Sequence, residues 1–172
     1  MNTKPWETEP NSIEEEVHGG YKVLMLRGPG MHWCGYVGIP PTHPWFGKNY
    51  NDKVKVPQSI FDRPIDIDKV GAINIFCASI SDEDRDANNI DIVLAIDVHG
   101  GLTYSKDHSP GNEPDGLWWF GFDCAHVGDY CPQYEKFGYN SGGVYRDIEY
   151  VKAECGALVS QLAAIAGTKD NT

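Results

Sequence analysis

Apolar and polar positions along the chain predict several strands first and a single long helix last. Residues 21–26 form an apolar run, Gly28-Pro29-Gly30 interrupts it, and residues 33–39 form a second run, so two strands joined by a turn are expected as a hairpin. Residues 70–78 and 90–98 are rich in Ile and Val and flank the acidic stretch Ser81-Asp82-Glu83-Asp84-Arg85-Asp86, which predicts two further strands. In the second, Ile92, Leu94, Ile96 and Val98 would share one face. Asp97 and His99 would share the other, just before Gly100-Gly101 ends or bends the strand. The segment Leu117-Trp118-Trp119-Phe120-Gly121-Phe122-Asp123-Cys124-Ala125-His126 carries aromatic side chains straight into a carboxylate, a thiol and an imidazole. Strand alternation puts Trp118, Phe120 and Phe122 on one side and Trp119, Gly121 and Asp123 on the other, with Gly121 leaving an opening beside Asp123. Over residues 145–166, Ile148, Val151, Cys155, Leu158, Leu162 and Ile165 recur at spacings of three and four, the stripe of an amphipathic helix, and Gly167 is a natural stop.

The strands lack intervening crossover helices, so the expected fold class is α+β, a mainly antiparallel sheet packed against one long C-terminal helix, rather than a doubly wound α/β fold. Between residues 40 and 69, Pro40, Pro41, Pro44, Pro57 and Pro64 oppose regular structure and predict a long ordered loop. Residues 1–16 are polar and acidic and read as a flexible arm, residues 17–167 as a single globular domain, and residues 168–172 as a tail.

Composition narrows the function classes. At 172 residues and 41% hydrophobic, the chain can bury one core without staples. A formal charge of -11 argues against nucleic-acid binding, which relies on Lys and Arg displacing counterions, but suits a basic protein partner. Five cysteines at irregular spacings do not read as a disulfide framework. The N-terminal residues carry no apolar signal segment and no run spans a membrane, so the sequence reads as a soluble protein of a reducing cytoplasm.

The candidate chemistry follows from the strand ends. If the strands that end at His99 and Asp123 are neighbours, His99, Asp123 and His126 converge as a catalytic group, an imidazole acting as general acid or base beside a carboxylate. With Asp97 added, Asp97, His99, Asp123 and His126 offer the mixed nitrogen and oxygen donors that zinc or manganese accepts. His32, Trp33, His43, Trp45 and Trp119 supply rings for a ligand to stack on, while Gly100, Gly101 and Thr103 supply small donors for phosphate or carbonyl oxygens. Each has a plainer reading: an Asp capping a turn, a His bonded to backbone, a Trp roofing the core. Cys34, Cys124 and Cys155 read as small buried residues rather than nucleophiles, and no glycine run matches a P-loop or a dinucleotide fingerprint.

His32-Trp33-Cys34-Gly35-Tyr36-Val37-Gly38, the loop through His43-Pro44, Val98-His99-Gly100-Gly101-Leu102-Thr103-Tyr104 and Trp119-Phe120-Gly121-Phe122-Asp123-Cys124-Ala125-His126 resemble segments of an uncharacterised family of small bacteriophage-encoded proteins. The resemblance runs from about Tyr36 to the final helix and implies a phage accessory protein in the bacterial host cytoplasm, without assigning a catalytic residue. Two functions are then in view. One is a pocket that binds, and hydrolyses, a small phosphorylated or nucleotide-like ligand such as a host defence signal. The other is a non-enzymatic acidic inhibitor that masks a basic site on a host protein through Asp82, Glu83, Asp84 and Asp86.

Overall fold

The computed structural model describes residues 3–17, 19–138 and 142–167. In chain order these hold α1 (Pro5–Thr8), β1 (Ser12–Val17), β2 (Tyr21–Arg27), β3 (Trp33–Ile39), β4 (Lys53–Lys55), α2 (Gln58–Phe61), α3 (Ile67–Val70) and α4 (Ala72–Cys77). There follow α5 (Asp82–Ala87), β5 (Asn89–Asp91), α6 (Ile92–Ala95), β6 (Tyr104–Lys106), β7 (Trp118–Asp123), a 3-10 turn (Pro132–Phe137) and α7 (Ile148–Gly167). A five-stranded sheet has the order β1-β2-β3-β7-β6 with every neighbouring pair antiparallel, and β4 and β5 form a second, two-stranded sheet. The expected α+β class, with one long C-terminal helix on an antiparallel sheet, is the fold observed.

Alternation explains the core face. Val23 pairs with Val37 and Met25 with Gly35 across β2 and β3, while Val37 pairs with Phe120 and Gly35 with Phe122 across β3 and β7. This places Val23, Val37 and Phe120 side by side on the face toward the core. The α7 stripe closes that face, with Val151, Cys155, Leu158, Leu162 and Ile165 all buried, as its spacing predicts. Gly35 lets helix and sheet meet. A Cβ there would lie 2.6 Å from Cys155 Sγ and 2.6 Å from the Phe122 ring. Gly35→Ala is therefore expected to push α7 off the sheet and lower stability by about 1–3 kcal/mol, read from the urea midpoint.

Four expectations are corrected. Residues 70–78 are not a strand: α3 ends at Val70, Gly71 turns the chain at φ 84°, and α4 follows. Residues 90–98 are a strand only to Asp91, after which Ile92–Ala95 is a helical turn with all four side chains buried. The run from Ile92 to Ile96 is apolar throughout, and such a run reads equally as a buried helical turn; composition favoured the strand, and packing chose the turn. The loop after Ile39 is interrupted by β4, α2 and α3. Residues 12–17, expected within a flexible arm, form β1 at the sheet edge, with Ile13 and Val17 packed on the core opposite Met25 and Tyr21. The tail at 168–172 lies outside the described residues. Among the described residues no helix is long and apolar enough to cross a membrane.

Candidate functional site

The chain leaves α6 extended and turns sharply at His99-Gly100-Gly101. The Val98 and Gly100 N–H groups donate to the Lys69 and Asp68 carbonyls at 3.0 and 2.8 Å, which straps this turn to α3. Gly101 has φ 88°, and a Cβ there would stand 2.0 Å from the Val70 carbonyl oxygen. Gly100 has φ 66°, and a Cβ there would stand 2.1 Å from the His126 ring. These glycines thus allow close approach of α3 and of His126 to the turn. A second turn follows β7. Asp123 accepts from the Ala125 N–H at 3.1 Å and from the Thr103 hydroxyl at 3.1 Å, and the Asp129 N–H donates to the His126 carbonyl at 3.0 Å.

The two turns bring together His99, His126 and Asp129, whose candidate ligand atoms all lie within 4.8 Å of one another. Asp129 is 3% exposed, and three groups donate to it. His99 Nε2 donates to its Oδ2 at 2.8 Å, the His126 backbone N–H donates to the same oxygen at 3.0 Å, and Arg146 Nε donates to Oδ1 at 3.0 Å. Because an ionised carboxylate only accepts, neutral His99 carries its proton on Nε2, so Nδ1 accepts from the Tyr150 hydroxyl at 2.9 Å. Burial alone would raise the Asp129 pKa, but the His126 imidazole beside it and the bonds from His99 and Arg146 outweigh burial and hold the carboxyl far below its ordinary range. The nearby Asp129 carboxylate raises the His126 pKa above its usual value against the opposing effect of burial, and Asp123 adds to the rise. His126 Nδ1 is buried and has no hydrogen-bond partner among the described residues; it lies 3.8 Å from Asp129 Oδ2 and 3.9 Å from Asp123 Oδ1.

Two cavities flank this cluster and share Gly100 and Val127 in their walls. One, of about 430 Å³, is mostly apolar and lined by Tyr50, Ile73, Asn74, Leu102, Thr103 and His126 among others. The other, of about 300 Å³, is polar and lined by Asp68, Lys69, His99, Asp129, Arg146 and Tyr150. Comparison with protein-family models, curated proteins and solved structures finds no match for the chain. The site is therefore read from its own chemistry.

Of the residues expected at the site, His99 and His126 meet, Asp123 stands beside them, and Thr103 and Gly100 line the apolar cavity. Gly101 completes the His99-Gly100-Gly101 turn against Val70, and the others lie elsewhere. Asp97 pairs with Arg63 at 3.0 Å, and its backbone bonds Gln161, so the fourth expected metal ligand points to a different neighbour. Trp33 and Trp45 belong to the core, and Trp119 is buried with its Nε1 donating to Asp115. None of these rings roofs either cavity. The opening expected at Gly121 is filled by Tyr36, whose ring would meet a Cβ there at 2.3 Å. His43 accepts the Trp45 N–H on Nδ1 and so donates from Nε2 to the Leu162 carbonyl at 2.9 Å, a fully bonded structural imidazole. His32 is 7% exposed, outside both cavities, and burial lowers its pKa. Burial also pushes the Cys34 thiol up to about 11 and raises that of Cys124, which leaves both as poor nucleophiles, in line with the structural reading.

Asp129, Arg146, Tyr150 and Lys69 escape the sequence reading. The repeat Asp123, His126, Asp129 at intervals of three was a visible signal for the first. Tyr150 and Glu154 are four apart on α7, so one face of the helix serves His99 twice: Tyr150 at the ring and Glu154 at the backbone N–H, 2.8 Å away.

Proposed function

We propose that this cleft binds a small phosphorylated or nucleotide-like ligand and hydrolyses it, with His99, His126 and Asp129 as the reacting cluster. The observation that carries the reading is the junction, at Gly100 and Val127, of an apolar cavity with a polar one bearing Lys69 and Arg146. A nucleotide divides the same way, into a flat, largely apolar base and an anionic phosphate. Arg146 gives Asp129 only its Nε proton, which among the described residues leaves guanidinium donors for an oxyanion. Host defence signal nucleotides, the class raised by the phage resemblance, have this form. Hydrolysis would form one P–O bond to a water oxygen and break one to the leaving oxygen, with the water proton passing to the cluster.

The test is binding of a panel of nucleoside monophosphates and cyclic nucleotides by calorimetry, with turnover followed by phosphorus NMR. Arg146→Gln is expected to weaken binding about 10- to 100-fold, the value of a charge-assisted hydrogen bond. Ile73→Ser, at a side chain 78% exposed, should weaken nucleotides while leaving inorganic phosphate unaffected. Nucleotides that bind neither wild type nor variants would remove the reading.

A second reading has its own observation. Ile73 and Phe76 on α4 are 78% and 89% exposed, and the acidic α5 follows in the chain, a combination suited to an apolar, basic protein partner. Asp84 caps α5 by bonding Ser81 and also pairs with Lys53, so it belongs to the fold. Charge reversal at Asp82, Glu83 and Asp86 therefore tests the inhibitor function cleanly, and unchanged capture of a host partner would remove it.

A further inference from the structure

We infer that His99 Nε2, His126 Nδ1 and Asp129 Oδ2 together form a binding site for one divalent transition-metal ion of the zinc, cobalt or manganese class, a three-ligand centre that leaves positions open to water. The inference rests on reading this cluster as the reacting centre, and it replaces the expected ligand set by substituting Asp129 for Asp97 and Asp123.

Distances come first. Two donors on one ion, each at about 2.1 Å, stand about 3.0–3.4 Å apart in octahedral or tetrahedral geometry. His99 Nε2 and Asp129 Oδ2 are 2.8 Å apart, and His126 Nδ1 is 3.8 Å from the same oxygen. The ligand atoms of the three residues all lie within 4.8 Å of one another, so side-chain movement of the two imidazoles by up to about 1.5 Å closes the set. The proton accounting also works. In the metal-free protein His99 donates from Nε2 to Asp129; when a metal takes the Nε2 lone pair, the proton moves to Nδ1, where the Tyr150 hydroxyl can accept as well as donate. His126 offers a buried Nδ1 between two carboxylates with no hydrogen-bond partner among the described residues, an arrangement that a cation satisfies. The supporting bonds are those of a metal ligand sphere. Tyr150 orients His99, Arg146 holds the free oxygen of Asp129, and the turn at Gly128 presents the His126 N–H to Asp129.

An ion there would supply what the side chains lack, a water with a lowered pKa facing both cavities. Cobalt(II) reports its own ligands, so the test uses chelator-treated full-length protein titrated with cobalt in the absence of any nucleotide. We expect one equivalent bound, visible d–d bands and no thiolate charge-transfer band. His126→Ala and Asp129→Asn should each weaken binding at least about 100-fold, and Tyr150→Phe about 10- to 100-fold, with folding of each variant checked by circular dichroism and urea midpoint. Cys77→Ser, which removes the exposed thiol, should change nothing. No uptake by wild type at millimolar cobalt, or uptake insensitive to both ligand substitutions, overturns the site. Nucleotide binding is measured separately, so loss of the metal centre and loss of the ligand reading are distinguishable.

Discussion

Glu9→Ala is expected to destabilise the protein by about 3–5 kcal/mol, because it removes one partner of a buried ion pair and strands the other. The Glu9 and Arg27 side chains are 10% and 4% exposed and pair at 3.0 Å. Glu9 Oε2 also accepts from Trp33 Nε1 at 3.0 Å and from the Tyr145 hydroxyl at 2.6 Å, and Oε1 accepts from the Ile148 N–H at 3.0 Å. One carboxylate thus joins the N-terminal segment, the β2–β3 hairpin and the first turn of α7, where it satisfies a free helix N–H and complements the helix dipole. Burial would raise its pKa, but the bonds from Tyr145, Ile148 and Trp33 and the Arg27 charge outweigh burial, so the folded pKa lies below the ordinary 4.5. The sign follows: its contribution is present in full above the unfolded value and is lost as pH falls through the lower folded value. Urea midpoints of wild type and Glu9→Ala should converge in acid and separate near neutrality. Equal midpoints at pH 7 would show that the segment merely lies on the surface.

Asp129→Ala should cost a similar amount, about 3–5 kcal/mol, since it leaves the Arg146 guanidinium and the His99 and His126 N–H groups without their shared acceptor. Asp129→Asn separates structure from function. Its carboxamide oxygen still accepts from part of this set, so a good share of the stability is retained, while the charge facing both imidazoles is gone. We expect Asp129→Asn to fold and to lose ligand and cobalt binding together. Because the folded Asp129 pKa is depressed, its contribution, like that of Glu9, is lost on acidification. Denaturation curves and calorimetry on the same samples check both halves of this expectation.

The fold was legible where a helix has one wet face and where a strand is an apolar run. The α7 stripe follows from burial on one side only and recurs at Val151, Cys155, Leu158, Leu162 and Ile165, whereas β3 and β7 are covered on both faces, Trp119 being as buried as Phe120 and Phe122. Residues 72–77 and 92–95 misled for opposite reasons: α4 leaves Ile73 and Phe76 in solvent, while α6 is buried all round, so neither carries a period that separates helix from strand. Half of the site was legible too. His99, beside Gly100-Gly101, and His126, after the aromatic strand, announced themselves, but Asp129 is positioned by a turn and by the bridge to Val144, and Arg146 and Tyr150 arrive from the far end of the chain. Long-range pairing of that kind leaves no local pattern. The acidic N-terminal segment failed as a flexible arm for the same reason, its key carboxylate being buried only by partners as distant as Tyr145.

The most direct measurement of the central claim is a nucleotide titration followed through the imidazole nitrogen resonances of the six histidines. A ligand seated where the two cavities meet should shift the ring signals of His99 and His126 together and leave His43, bonded on both nitrogens, unmoved. If binding occurs while His99 and His126 stay fixed, the ligand lies elsewhere and the cluster is structural.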